Sequence, residues 1–173
     1  MNRLRVAIVL VTLLIVQITV FAHLRPAGVA PNMLVLATVM GGIVGGTDRG
    51  AWHGFFAGLL LDLVSPGPFG LAAGVYAALG YLVGVTAESF DSQDARVGPL
   101  VAALGSFLGV AGYGLGLGIL GIEQYVSWGL VRVGIVVGLI NAAMYLPMRI
   151  PYEWIVSELR TFASAERARN VVN

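Results

Sequence analysis

Six apolar runs, separated by clusters of charged residues, glycine and proline, dominate the pattern along the chain. They cover residues 4–24, 31–47, 51–64, 69–87, 97–120 and 127–148. A helix needs about 20 apolar residues to cross the hydrocarbon core of a bilayer, and most of these runs are near that length. Because backbone groups find no water to bond in lipid, each run is predicted to be helical. The pattern predicts an all-α, polytopic membrane protein with six transmembrane helices.

The third run is short, so it is open whether it crosses the membrane. The distribution of arginine helps to decide. Its 14 residues rise by about 21 Å, against a hydrocarbon core of roughly 30 Å, so a re-entrant segment is the alternative. With six crossings and an internal N-terminus, the arginines on the cytoplasmic side are Arg3, Arg5, Arg49, Arg96, Arg149, Arg160, Arg167 and Arg169. Only Arg25 is then external, whereas a third run that does not cross leaves six arginines outside. The positive-inside rule favours six crossings with both termini cytoplasmic.

Composition excludes several classes of function. The chain is 58% hydrophobic and 11% charged, whereas soluble domains average roughly 45–50% apolar and 25% charged. No soluble enzymatic domain therefore fits beside the apolar runs. The chain has no cysteine, which excludes disulfides and thiolate metal sites, and its net charge of +1 gives no argument for a nucleic-acid partner.

The residues after Pro151 differ from those before it. Trp154, Ile155, Leu159 and Phe162 can share one helix face while charged residues keep to water, a pattern typical of an interfacial or partner-binding helix. The alternative is a frayed tail held by the charged membrane surface. We therefore predict a six-helix transmembrane domain over 1–150 and a cytoplasmic amphipathic tail over 151–173.

Glycine recurs at every fourth position between residues 42 and 58. The series is Gly42, Gly46, Gly50, Gly54 and Gly58. Glycines four apart share one helix side, where they let a neighbouring backbone approach closely enough for extensive van der Waals packing. The sequence GTDRG within the series predicts a loop, so the glycines are expected to belong to two helices.

Few residues are candidates for chemistry. Asp62, near the end of an apolar run, is expected to bond the amides of the following Gly/Pro loop or Arg132; ion or substrate handling is the alternative. His53 and His23 are predicted at opposite membrane faces, so they cannot share a metal. The segment GLGILG, 116–121, matches a dinucleotide fingerprint but lacks the strand–helix context that the motif requires. We expect no cofactor, no metal and no enzymatic activity.

Several short segments carry a family resemblance. They are Pro31-Asn32 before MLVLATVMGG, GF.AGLLLD over 54–62, Gly70-Leu71, and YAALGYLVG over 76–84. With them the chain resembles the rod shape-determining protein MreD family, whose members usually show Pro-Asp in place of Pro31-Asn32. The residues expected to bind a partner or support the fold are Pro31, Asn32, Gly54, Phe55, Gly58, Asp62, Gly70, Tyr76 and Gly80.

The resemblance implies a scaffold of the bacterial cell-wall elongation machinery in the cytoplasmic membrane, with no reaction of its own. Its implied partners are the bitopic protein MreC, the MreB filament, RodA with its transpeptidase partner, and membrane lipid. It also implies a fold similar to the substrate-binding subunits of energy-coupling-factor transporters. We expect the MreC-like partner to dock through the glycine-lined helices.

Two functions of other classes remain as alternatives. One is a small-molecule (vitamin) binding subunit of an energy-coupling-factor-type transporter, although such subunits present an alanine-xxx-alanine face on the first helix, where this chain has only Ala7 and Ala22. The other is an intramembrane enzyme or ion channel built on Asp62.

Overall fold

A computed structural model describes residues 3–20, 28–89, 97–122 and 128–172. These residues form five α-helices and no β-strand, so the described chain is all-α. The helices are α1 (Arg3–Thr19), α2 (Met33–Val64), α3 (Leu71–Ser89), α4 (Val97–Ile119) and α5 (Trp128–Val172). Four residues named from the sequence, Ala22, His23, Arg25 and Arg96, lie outside the described part of the chain, and so do the side chains of Ile155, Leu159 and Phe162 in the predicted amphipathic tail.

The prediction of six transmembrane helices is wrong. By length and composition, three helical segments of the described residues are long and apolar enough to cross a membrane: Leu71–Glu88, Val97–Ile119 and Trp128–Tyr152. The sequence count treated every apolar run as one crossing. Two of those runs lie within the single element α2, and α1 has only 17 residues, which is about 26 Å of helix.

A sharp reversal at Gly46 divides α2 into a first arm, 33–45, and a second arm, 47–64. Gly46 has φ 74° and ψ −169°, a conformation that is essentially restricted to glycine. The two arms fold back on each other. A Cβ built on Gly50 would lie 2.7 Å from the Cα of Gly42, and one on Gly54 would lie 3.0 Å from Thr38 Cγ2. Each of these pairs is equidistant from Gly46, as expected for a helical hairpin.

The first arm of α2 lies at the centre of the bundle. Leu34, Val35, Leu36 and Ala37 are all fully buried, although they point in four different directions around the helix. A helix that is hydrophobic all round is stable only when other elements surround it. The helices α1, α3, α4 and α5 all contact α2, and its most extensive contact is with α3.

The last helix is the longest element. α5 has 45 residues, or about 68 Å at the usual rise, and its backbone remains helical through Pro147 and Pro151. Near Pro151 it meets the beginning of α1, where Arg5 Nη1 donates a 2.8 Å hydrogen bond to the Trp154 carbonyl. The Arg5 guanidinium also lies 4.6 Å from the centre of the Trp154 ring. The division into a membrane domain and a tail at 150/151 stays a prediction.

Candidate functional site

The glycines of the GF.AGLLLD segment lie in the contact between α2 and α3. A Cβ on Gly54 would overlap the carbonyl of Tyr76, and one on Gly58 would overlap the carbonyl of Ala72. On the facing helix, a Cβ on Gly80 would overlap the carbonyl of Gly50. The side-chain-free positions therefore allow backbone-to-backbone packing, which is the main source of helix association in lipid. This glycine interface lies inside the protein, between α2 and α3.

Phe55 lies on the other side of the second arm, where its side chain is exposed. Its ring centre is 6.1 Å from that of Trp52 and 5.6 Å from that of Phe56, and the latter two rings stack at 6.0 Å. Trp52, Phe55 and Phe56 therefore form an exposed aromatic patch. The GF dipeptide thus places one residue in the internal contact and the next on the outer surface.

Asp62 caps the N-terminal end of α3. Its Oδ2 accepts hydrogen bonds from the amides of Gly70 at 2.9 Å and Ala73 at 3.0 Å, and its Oδ1 accepts one from Ala72 at 3.1 Å. The first amides of a helix have no intrahelical acceptor and carry partial positive charge, so a carboxylate is stabilised there. Gly70 has φ 94°, which turns the chain into α3 at this point. The geometry gives Asp62 a structural role at the turn between α2 and α3.

Asn32 begins α2 and joins it to α3. Its Oδ1 accepts a 3.1 Å bond from the Val35 amide as an N-cap, while its Nδ2 donates a 2.7 Å bond to the Tyr76 hydroxyl. Pro31, which is buried, precedes it. An aspartate at this position could cap the helix in the same way but could not donate to Tyr76, because an ionised carboxylate is only an acceptor. The amide therefore performs both tasks.

The backbone around Asn32 is held by two further amide side chains. Asn141 Nδ2 donates to the Asn32 carbonyl at 3.1 Å and to Ser106 Oγ at 2.8 Å. Gln17 Oε1 accepts from the amide of Met33 at 2.7 Å. Hydrogen bonds from α1 and α5, and through Asn141 to α4, thus meet at the beginning of α2. Gln17, Ser106 and Asn141 each lie within an apolar run of the sequence, but nothing in their spacing indicates that they meet.

A second buried polar group lies at the centre of the bundle. His53 Nε2 is 2.6 Å from the Tyr152 hydroxyl, and that hydroxyl donates a 2.8 Å bond to the Ala37 carbonyl. Since the hydroxyl proton goes to Ala37, Nε2 must carry the proton that bonds His53 to Tyr152. His53 Nδ1 is buried without a hydrogen-bond partner among the described residues. The group links the second arm of α2 to its first arm and to α5.

One cavity opens at the end of the bundle where α2 begins, α4 ends and α5 begins. It has a volume of about 420 Å³, and its polar lining comes from Asn32, Ser65, Tyr76 and Tyr113. In the described part of the chain, no three His, Asp or Glu side chains come together in a group that could hold a metal ion.

The predicted site residues therefore fall into three places. Gly54, Gly58 and Gly80 lie in the glycine interface, and Phe55 lies on the outer surface. The remaining five lie near the ends of α2 and the first turns of α3: Pro31, Asn32, Asp62, Gly70 and Tyr76. Tyr152 was not among the predictions, since nothing local marks a tyrosine that pairs with a histidine 99 positions away.

Comparison with known proteins identifies the family. The model of the rod shape-determining protein MreD family matches residues 2–154. No curated protein and no solved structure matches the chain. The likeness to substrate-binding subunits of energy-coupling-factor transporters, expected from the resemblance, is therefore not shown. Because the family model covers most of the sequence, the chain belongs to the rod shape-determining protein MreD family.

Proposed function

We propose that this protein is a non-enzymatic membrane scaffold of the bacterial cell-wall elongation machinery that docks an MreC-like bitopic partner. Membership in the MreD family supports a role in rod shape determination, and the apolar helices are those of a membrane protein. The family is one of structural membrane proteins, which supports a scaffold over an enzyme. MreB, RodA and its transpeptidase partner are proposed to join the assembly with the MreC-like protein.

The docking proposal rests on the outer face of α1. It presents an exposed apolar stripe, which we call the α1 stripe: Leu4, Ile8, Val11, Ile15 and Ile18. The spacing of four, three, four and three residues is that of the a and d positions of a coiled coil, with β-branched residues at most of them. Ala7, Thr12 and Thr19, which are also exposed, flank the stripe with small side chains. Such a surface fits one further helix, because small neighbours allow close approach.

The glycine interface supports this assignment indirectly. Its glycines are already in contact with backbone of α2 and α3, so they form a rigid body without offering a surface to a partner. We therefore assign docking to the α1 stripe, on the helix that packs against this body through α2, and not to the glycines themselves. The aromatic patch at Trp52, Phe55 and Phe56 is an outward surface of the body itself.

Charge favours a different chain over a second copy at the α1 stripe. Arg3 is exposed at one end of the stripe. Two copies related by a twofold axis along the membrane normal would bring two Arg3 side chains together, and like charges repel. A single-span partner with a carboxylate at that level would instead be attracted.

Both chain ends are proposed to lie on the cytoplasmic side of the bacterial inner membrane. The contact between Arg5 and Trp154 supports placing the beginning of α1 and the 151–154 segment of α5 at the same face. Arginines are frequent in both flanking segments, and cytoplasmic segments are enriched in arginine and lysine. The tail, 151–173, is proposed to contact anionic lipid or the filament there.

Cysteine cross-linking tests the docking surface directly, because the chain has no native cysteine. Single cysteines at Ile8, Val11 and Ile15 are paired with single cysteines along the transmembrane helix of the MreC-like partner. We expect disulfides at partner positions that repeat every three to four residues. Cysteine at Leu104 or Leu108, exposed on α4, is the matched control. Equal cross-linking at α4, or none at the α1 stripe while the complex still co-purifies, would contradict the assignment.

A further inference from the structure

The cavity beside Asn32 and Tyr76 has the size and surface of a binding site. Its volume of about 420 Å³ falls within the roughly 300–1,000 Å³ of small-molecule sites. The walls come from α2, α3, α4 and α5, and they are mostly apolar: Leu61, Val110, Leu117, Leu130, Val133 and Val137. An occupant of this space would therefore contact mainly hydrocarbon.

Four polar residues line the cavity, Asn32, Ser65, Tyr76 and Tyr113, and the Tyr76 hydroxyl is held in place by its bond to Asn32. The Tyr76 side chain is 1% exposed, and its hydroxyl oxygen accepts the 2.7 Å bond from Asn32 Nδ2. The hydroxyl still carries its own proton, and the described residues supply no acceptor for it. A buried donor without an acceptor is costly, so an oxygen of the occupant is expected to accept this bond.

Charge and shape narrow the class of occupant. No described residue that lines the cavity carries a charge, so an ionised group would be buried without a counter-ion. The wall supplied by α5 extends from Gly129 to Val137, which is about 12 Å along the helix axis. A narrow, neutral, mainly hydrocarbon occupant with an acceptor oxygen matches these three properties.

The position of the cavity points to the source of such an occupant. It opens at the end of the bundle opposite the Arg5–Trp154 contact, where α4 ends and α5 begins. At a helix end of this kind the hydrocarbon core of a bilayer meets the polar headgroups, and lipid ester carbonyls lie at that level. We propose that the cavity holds one acyl chain of a membrane lipid, whose ester carbonyl accepts a hydrogen bond from the Tyr76 hydroxyl.

Photolabelling of the reconstituted full-length protein tests the proposal. The probe is phosphatidylglycerol with a diazirine on one acyl chain, mixed into phosphatidylcholine nanodiscs, and labelled residues are located by mass spectrometry. We expect label on the lining residues Val110 and Val133. Val133→Phe fills the cavity and should weaken that labelling about tenfold, as overpacking of a fixed volume implies.

Val131→Phe is the matched control, because it is the same substitution on the exposed face of α5. In this variant the label on the lining residues should persist. Val110→Phe fills the cavity from the opposite wall, and a monodisperse elution profile of either filled variant shows that it is folded. A photoactivatable free fatty acid, offered to delipidated protein, is the second arm. Labelling by the fatty acid but not by the phospholipid would overturn the lipid assignment. Label confined to outward residues such as Leu139, or unchanged in both filled variants, would overturn the site itself.

Discussion

His53 and Tyr152, which are 99 positions apart, share a 2.6 Å hydrogen bond in the centre of the bundle. The same tyrosine hydroxyl donates to the Ala37 carbonyl in the first arm of α2. The pair therefore fastens the segment just after Pro151 to both arms of the helical hairpin. Its position indicates that α5 up to Tyr152 is part of the packed body, since Tyr152 is 0% exposed.

Tyr152→Phe should destabilise the protein. The change removes the partner of His53 Nε2 and the donor to Ala37, leaving both polar groups buried. We expect a loss of about 1–2 kcal/mol in the free energy of unfolding, the range of buried hydrogen bonds in membrane and soluble proteins. Unfolding in lipid bicelles measures it. Tyr81→Phe, at an exposed position of α3, is the control and should change little; equal effects would mean that the His53 contact contributes nothing.

Asp62→Asn tests the capping role of the carboxylate. An asparagine offers one acceptor oxygen, whereas Asp62 accepts three amide bonds through two oxygens. The side-chain NH₂ of asparagine would also face amides that are donors. We expect a loss of about 1.5–3 kcal/mol in the free energy of unfolding, since hydrogen bonds to charged groups contribute that much.

The control for this change is Asp48→Asn, because Asp48 is exposed near the Gly46 turn. It should leave stability within about 0.5 kcal/mol of the original protein, as surface substitutions usually do. One outcome for Asp62→Asn would instead favour the alternative function of Asp62, ion or substrate handling. If Asp62→Asn kept full stability and full assembly with the partner but abolished a measurable ion flux, a transport role would replace the structural one.

Much of the local packing could be predicted from the sequence, but the number of crossings could not. The four-residue glycine period predicted close helix packing, and Gly50, Gly54 and Gly58 do meet α3 backbone. The period alone did not identify which helix would be met. Apolar runs indicated helices correctly, yet a run records hydrophobicity and not whether the segment is long enough to cross.

The contacts of the polar residues were harder to predict for a similar reason. The capping of α3 by Asp62 follows from an acidic residue shortly before a Gly/Pro turn, so local chemistry suffices. The bonds from Asn141 to Asn32 and from His53 to Tyr152 join residues about a hundred positions apart. Nothing in the spacing of an isolated sequence encodes such pairs, since they depend on how the helices are arranged.

Gly46→Ala should weaken the hairpin, although the added methyl group contacts no backbone atom of another helix. Gly46 has φ 74° and ψ −169°, and a residue with a Cβ pays about 1–3 kcal/mol to remain in such a region. Glu88 also approaches this turn, where Thr47 donates to its Oε1 through the backbone amide at 3.0 Å and the hydroxyl at 2.7 Å. Comparing the unfolding free energies of Gly46→Ala and Gly74→Ala separates backbone strain from helix propensity, because Gly74 has helical backbone and open space around it. If both variants lost the same unfolding free energy, a side chain at position 46 would not strain the turn.

Gly58→Leu should prevent α2 and α3 from approaching each other. Even a Cβ at Gly58 would overlap the carbonyl of Ala72 and lie 2.6 Å from the Cα of Ala73. Backbone cannot move aside as a flexible side chain can, so the cost should exceed the roughly 1–3 kcal/mol typical of overpacking.

The expected results are loss of monodisperse protein in detergent and loss of co-purification with an MreC-like partner. Gly74→Leu is the matched control on α3, since no atom lies within 4 Å of a Cβ built there; it should keep both properties. A wild-type yield of complex from Gly58→Leu would mean that assembly does not require the close contact of α2 and α3. In that case the scaffold proposal would need another rigid body, because α1, which carries the stripe on its exposed face, packs on α2 and depends on the position of that helix.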